Sequence, residues 1–122
     1  MSEINYSKLP NSKITLNGQF AWRASDLPLL MDYVIQNKWI VLGGDVLTYS
    51  GNYTYDNWYY NPECSLSITQ NVHQSVAVCL DYVANYTNRN GSDFLYSLVL
   101  SDSFLSITKT GDNSVSYTPV NN

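Results

Sequence analysis

The chain has 122 residues, 44% of them hydrophobic, which suffices for one domain with a core of its own. Ten acidic residues against six basic ones give a net charge of -4, so the chain is expected to repel nucleic acid and anionic lipid. No apolar run is long enough to cross a bilayer, and no export signal is visible at the N-terminus. We therefore expect one cytoplasmic domain over residues 1–122, with loosely held termini at 1–13 and 111–122.

The first predicted element is a helix. Its apolar side chains recur at i, i+3, i+4, i+7 and i+8, and they are Leu27, Leu30, Met31, Val34 and Ile35. Ser25 is the expected N-cap. Pro28 is tolerated in the first turn, where backbone amides lack helical partners.

A strand and a hairpin follow the first helix. The apolar run Trp39–Leu42 suits a buried strand, and Gly43 with Gly44 predicts a bulge or a sharp bend. Residues 45–60 are predicted to form a hairpin, since turn residues at 50–52 separate two stretches rich in β-favouring side chains.

The second half of the chain predicts a helix over residues 67–86 and two strands, Phe94–Leu100 and Phe104–Lys109. Val115–Thr118 is a further candidate for a short edge strand. The predicted order is α-β-β-α-β-β. This order favours an α+β fold: a two-layer sandwich with a mainly antiparallel sheet of four to five strands and two helices on one face.

Eleven tyrosines point to a protein-binding surface, because tyrosine combines apolar area with a polar tip and few rotatable bonds. Strand alternation places Tyr55, Asn57 and Tyr59 on one face of the hairpin and Asp56, Trp58 and Tyr60 on the other. One face should cover the helices, and the other is a candidate open surface. The candidate partner-binding residues are Asp45, Tyr53, Tyr55, Asp56, Tyr59, Tyr60 and Glu63. Gly43, Gly44 and Trp58 are expected to be structural.

No pattern indicates catalysis or a bound cofactor. The single histidine, His73, is a conceivable base for Ser75 or Cys79, but an exposed helical position explains it better. No nucleophile motif surrounds any serine, and the two cysteines lack metal or redox spacing. Three carboxylates in the hairpin region are too weak a signal for a metal site. We expect no catalytic residue, no cofactor and no metal.

Two segments carry a family resemblance. Val41-Leu42-Gly43-Gly44-Asp45-Val46, followed by Thr54-Tyr55-Asp56-Asn57-Trp58-Tyr59, resembles the paired motifs of the immunity protein 40 family, over roughly residues 14–100. Such proteins accompany bacterial polymorphic toxins, including those of contact-dependent growth inhibition. The resemblance implies a protein that binds the C-terminal domain of a cognate toxin and blocks its active site or substrate access.

Many such toxins are nucleases and therefore basic, which suits an acidic partner. Two other hypotheses stay open from the residues alone. One is an adaptor module for a protein that is not a toxin, and the other is a small hydrolase that uses His73.

Overall fold

A computed structural model describes residues 4–102, which form a five-stranded antiparallel sheet and two α-helices. The elements in chain order are β1 (Lys13–Ile14), β2 (Phe20–Arg23), α1 (Leu27–Gln36), β3 (Ile40–Thr48), β4 (Tyr53–Tyr59), α2 (Ile68–Asn90) and β5 (Phe94–Ser101). The strands lie in the order β1-β2-β5-β3-β4, and every neighbouring pair is antiparallel. The predicted α+β sandwich is confirmed.

The order of elements differs from the predicted one at the N-terminal end. A strand pair, β1 and β2, precedes α1 and was not predicted from the sequence. The two stretches expected to flank the glycine pair are one continuous strand, β3. The predicted strands at 104–109 and 115–118 lie outside the described residues.

Helix α1 is entered through a short 3-10 turn at Ala24–Asp26. Ser25 lies inside this turn, so the prediction that it is the N-cap is wrong. Asp26 takes the cap position but makes no side-chain cap hydrogen bond, and Pro28 occupies the first turn as expected. After the helix, Lys38 adopts a positive φ of 58°, which turns the chain into β3.

Helix α2 begins with a reciprocal cap. The backbone N–H of Gln70 donates to the Ser67 hydroxyl (3.0 Å), and the backbone N–H of Ser67 donates to the Gln70 side chain (2.9 Å). The helix runs to Asn90, four residues beyond the predicted end, and Gly91 ends it with a positive φ of 95°.

Both helices cover one face of the sheet, here called the inner face. The main core cluster joins buried side chains of α1 and α2 to the inner-face side chains Trp22, Val46, Tyr96 and Leu98. A separate small cluster on the opposite, outer face contains only strand residues, namely Ala21, Leu47 and Leu95. The outer face therefore has no helical layer within residues 4–102.

The chain before β1 is fixed to the sheet at three points. Leu9 is buried, the Trp22 indole N–H donates to the Pro10 carbonyl (2.8 Å), and the Leu100 backbone N–H donates to the Tyr6 hydroxyl (2.9 Å). The N-terminal segment 1–13 was expected to be loose, but its described part contacts β5 near the C-terminal end of that strand.

Candidate functional site

The glycine pair in β3 lets its two neighbouring strands approach closely. A Cβ on Gly43, whose φ is +154°, would collide with the backbone carbonyl of Trp58. The register of β3 against β5 shifts between Val41 and Gly43, so a bulge lies where the sequence indicated one. The Ser75 hydroxyl on α2 accepts a hydrogen bond from the Val41 N–H at this shift (2.9 Å). A helix side chain thus accepts the hydrogen bond of a backbone N–H that the bulge would otherwise leave buried without an acceptor.

Trp58 fixes β4 on the inner face. Its side chain is buried, lies over Gly44 and stacks on Tyr82 with ring centroids 4.7 Å apart. Gly44 has no side chain, and the indole occupies the space that a Cβ would fill. Because Trp58 points inward, strand alternation turns its neighbour Tyr59 outward.

Three tyrosines of β4 form an exposed row on the outer side of the molecule, here called the tyrosine strip. Tyr53, Tyr55 and Tyr59 are 42%, 85% and 78% exposed. The Tyr53 and Tyr55 rings lie 6.4 Å apart, and the Gln19 side-chain amide donates to the Tyr53 hydroxyl. The strip follows an edge strand and has no covering element among residues 4–102.

Asp45 lies on the same face, one strand further in. It pairs with Asn57 of β4 and with Ser97 of β5, and it is partly exposed. Of the seven predicted partner-binding residues, the structure therefore brings four together on one surface: Asp45 and the tyrosine strip.

The other three candidates lie elsewhere. Tyr60 is buried, and its hydroxyl donates to Asn71 Oδ1 (2.6 Å), so it does not share the exposed surface of the tyrosine strip. Its pKa is raised, first by burial and then by the charge of Glu63. Asp56 is exposed but accepts a hydrogen bond from the Tyr86 hydroxyl (2.8 Å), toward the helix layer. Glu63 is exposed beyond the end of β4.

Asn71 is the main residue of this region that was not predicted from the sequence. It is fully buried on α2, and its side-chain amide donates to the carbonyls of Glu63 (2.9 Å) and Ser67 (3.2 Å). Its Oδ1 accepts from the Tyr60 hydroxyl and the Glu63 N–H (2.9 Å). One side chain thus fixes the segment that leads from β4 to α2. A polar residue beside an apolar helical stripe was the only signal, and polar helical residues are usually exposed.

Charge is unevenly distributed around the tyrosine strip. Residues 39–88, which include β3, β4 and most of α2, contain no lysine or arginine. Their carboxylates are Asp45, Asp56, Glu63 and Asp81. On β2, Arg23 lies over the Tyr49 ring, 4.8 Å from its centroid. These elements therefore contribute carboxylates but no lysine or arginine, and Arg23 of β2 is a cation that lies beside them.

The residues considered for catalysis do not form a catalytic arrangement. The Ser75 hydroxyl is buried and donates to the Val72 carbonyl (2.9 Å) while it holds the Val41 N–H. His73 is exposed, and Cys79 is buried. In the described part of the chain, no group of three or more His, Cys, Asp or Glu side chains is placed to hold a metal ion. Neither helix within residues 4–102 has the length and apolarity needed to span a bilayer.

The two thiols are expected to differ sharply in reactivity. Burial raises the pKa of Cys79 to about 12, whereas Cys64 is exposed. Because the thiolate is the reactive species, an aromatic disulfide reagent at pH 8 should modify only Cys64 quickly in the native protein. In denaturant, both cysteines should react quickly. Cys64→Ser should abolish the fast reaction. Two fast thiols in the native protein would contradict the burial of Cys79.

The chain belongs to the immunity protein 40 family, whose family model (Imm40) matches residues 8–100. The matched region includes all seven strands and helices except the last residue of β5. Membership assigns the chain an immunity function, that is, binding to a cognate toxin, which is generally a non-enzymatic role. No curated protein and no solved structure shows significant similarity to the chain.

Proposed function

We propose that this protein neutralises the C-terminal domain of a cognate bacterial toxin by binding it with the outer face around β4. The toxin is of the kind delivered by contact-dependent growth inhibition, and the complex forms in the cytoplasm. The observation that carries the proposal is the tyrosine strip beside Asp45, on a sheet face that has no helical layer in the described chain.

The composition of this surface suits tight binding. Tyrosine is enriched at the energetically dominant positions of protein interfaces, because a large ring is buried at small entropic cost. The strip lies on an edge strand held by Trp58 and by the Asn71 network, so little ordering is needed on association. Reduced ordering cost leaves more of the contact energy as affinity.

The charge distribution supports a basic partner. A toxin that acts on nucleic acid carries a cationic surface for the phosphate backbone, and Asp45 gives the proposed interface a carboxylate, while residues 39–88 contain no lysine or arginine. Opposite charge speeds the encounter, and the aromatic side chains slow dissociation. We infer that the immunity protein covers the nucleic-acid-binding side of a nuclease domain and blocks its active site or its substrate's approach.

The test begins with the toxin encoded next to the gene for this chain. Cells that produce its C-terminal domain should survive when the chain is coexpressed, and the two proteins should copurify. Asp45→Lys is expected to weaken the complex by about 1–3 kcal/mol, because a carboxylate at the centre of the surface is replaced by a cation facing a basic partner. Isothermal titration calorimetry gives the affinity, and thermal unfolding checks the fold.

Asp32→Lys is the matched control, since Asp32 is exposed on α1, away from the outer face. Asp32→Lys should leave the affinity nearly unchanged, and it should alter the association rate only slightly. Equal losses for the two variants would point to general charge attraction and remove Asp45 from the interface. Failure of the wild-type chain to bind or protect against the neighbouring toxin would refute the proposed function.

A further inference from the structure

The middle of β4 contains a bulge at the most exposed tyrosine of the strip. β4 advances four residues from Tyr53 to Asn57 while β3 advances only two between their partners, Leu47 and Asp45. Tyr55 lies at the centre of this bulge with a φ of +70°, in the left-handed region. That region is costly for a residue with a Cβ and is normally taken by Gly, Asn or Asp.

The residues on either side of Tyr55 hold it in this conformation. The Thr54 hydroxyl donates to the Val46 carbonyl of β3 (2.9 Å) and accepts from the Asp56 N–H (3.1 Å). The Asp56 carboxylate in turn accepts from the Tyr86 hydroxyl of α2 (2.8 Å). Burial and this hydrogen bond to Asp56 both raise the Tyr86 pKa, burial being the larger cause.

The Tyr55 ring itself contributes little to the fold. Its side chain is 85% exposed, and its ring neighbour, Tyr53, is itself 42% exposed. A bulky side chain in a costly backbone conformation is therefore kept in place by its neighbours while it faces solvent. Such outliers persist where the surrounding structure imposes them, and they are concentrated at functional sites.

We propose that Tyr55 is the anchor of the toxin interface, and that Thr54 and Asp56 are positioning residues that hold its ring outward in the conformation that binds. This inference rests on the proposed function. The partner it fits is a toxin domain with a ring-sized recess bordered by basic side chains, since Asp45 lies on the same face as the tyrosine strip and no lysine or arginine occurs from 39 to 88.

The inference predicts opposite effects of one substitution on stability and binding. Tyr55→Gly removes the ring and relieves the left-handed strain, so the melting temperature should rise by a few degrees. The Kd for the catalytically inactivated toxin domain encoded by the neighbouring gene should increase roughly tenfold or more. Tyr55→Asn, which also tolerates a positive φ, should change both quantities in the same directions.

Tyr59→Ala is the matched control. Tyr59 is almost as exposed and lies on the same strand, but it has no positive φ. Its removal should cost less affinity than Tyr55→Gly and should not raise the melting temperature. A larger loss of affinity at Tyr59, or unchanged affinity in Tyr55→Gly, would overturn the assignment of the anchor. A fall in melting temperature for Tyr55→Gly would overturn the claim that the bulge is strained.

The positioning role of Thr54 is tested separately. Thr54→Val removes the hydroxyl and should weaken toxin binding, whereas Thr54→Ser should restore it. In the Tyr55→Gly background, Thr54→Val should cause no further loss, because its effect passes through the ring. An additive loss there would refute the positioning role. Absence of binding by the wild-type chain would instead refute the proposed function, so the two failures are distinguishable.

Discussion

Replacing Asn71 by aspartate is expected to destabilise the fold by about 3–5 kcal/mol at neutral pH, because it buries a carboxylate that has no cationic partner. The amide nitrogen now donates to the carbonyls of Glu63 and Ser67. A carboxylate oxygen at that position would face these carbonyl oxygens with no hydrogen to donate. Asn71 is fully buried, so water cannot relieve the repulsion.

The loss should depend on pH. Burial and the facing carbonyls favour the neutral form, so the introduced carboxyl should have a folded-state pKa above the unfolded value of about 3.9. The variant should come closest to wild-type stability below the unfolded-state pKa, where the carboxyl is neutral in both states. It should lose stability as the pH rises through the folded-state pKa. Urea unfolding between pH 3 and 7, each time against wild type, measures the difference.

Asn85→Asp is the control for this prediction. Asn85 is exposed on the same helix, so its substitution should change stability by no more than about 0.5 kcal/mol. A loss at position 71 as small as that at position 85 would show that the buried amide does not hold the segment between β4 and α2.

Gly44→Ala is expected to destabilise the protein by about 3 kcal/mol or more. The added Cβ would lie 2.5 Å from the carbonyl oxygen of Ser97 and closer still to Cη2 of Trp58. One of these atoms belongs to the backbone of the central strand β5, so rotation of the indole alone cannot relieve the overlap. Chemical denaturation gives the free energy of unfolding.

The matched substitution is Gly18→Ala. Gly18 has a φ of +86°, and no atom lies within 4 Å of the place that a Cβ would take, so alanine there should cost only the left-handed strain of about 1–2 kcal/mol. If Gly44→Ala were no more destabilising than Gly18→Ala, the result would contradict the close packing of the Trp58 indole on Gly44 of β3. Gly44→Ala should also weaken toxin binding, because the indole sets the position of β4.

Elements could be predicted from the sequence where a single segment contains the whole periodic pattern of apolar and polar residues. The apolar spacing in α1 and the alternation in β4 indicated which side chains are buried, and Trp58 lies inward while Tyr55 and Tyr59 lie outward. Alternation also put Tyr60 on the same face as Trp58, and Tyr60 is buried there.

The features that sequence reasoning missed depend on contacts between distant segments. Strand β2 has only four residues, too few for a clear alternating pattern, and it is defined by pairing with β5 over seventy positions later. Ser75 resembled a candidate nucleophile, whereas its hydroxyl holds the Val41 N–H. The positive φ of Tyr55 had no sequence signal, because the usual residues at such a position are glycine, asparagine and aspartate.

The central position of β5 has a consequence for newly synthesised chains. β5 is the last described strand in the sequence, yet it lies between β2 and β3 and is the strand that joins them. Until the ribosome has released residues 94–101, the two halves of the sheet have no common partner, and β3 has one open edge. Protection of the cell must therefore wait until β5 has been translated, and a ribosome that stalls before Phe94 leaves a chain whose unpaired edges favour aggregation.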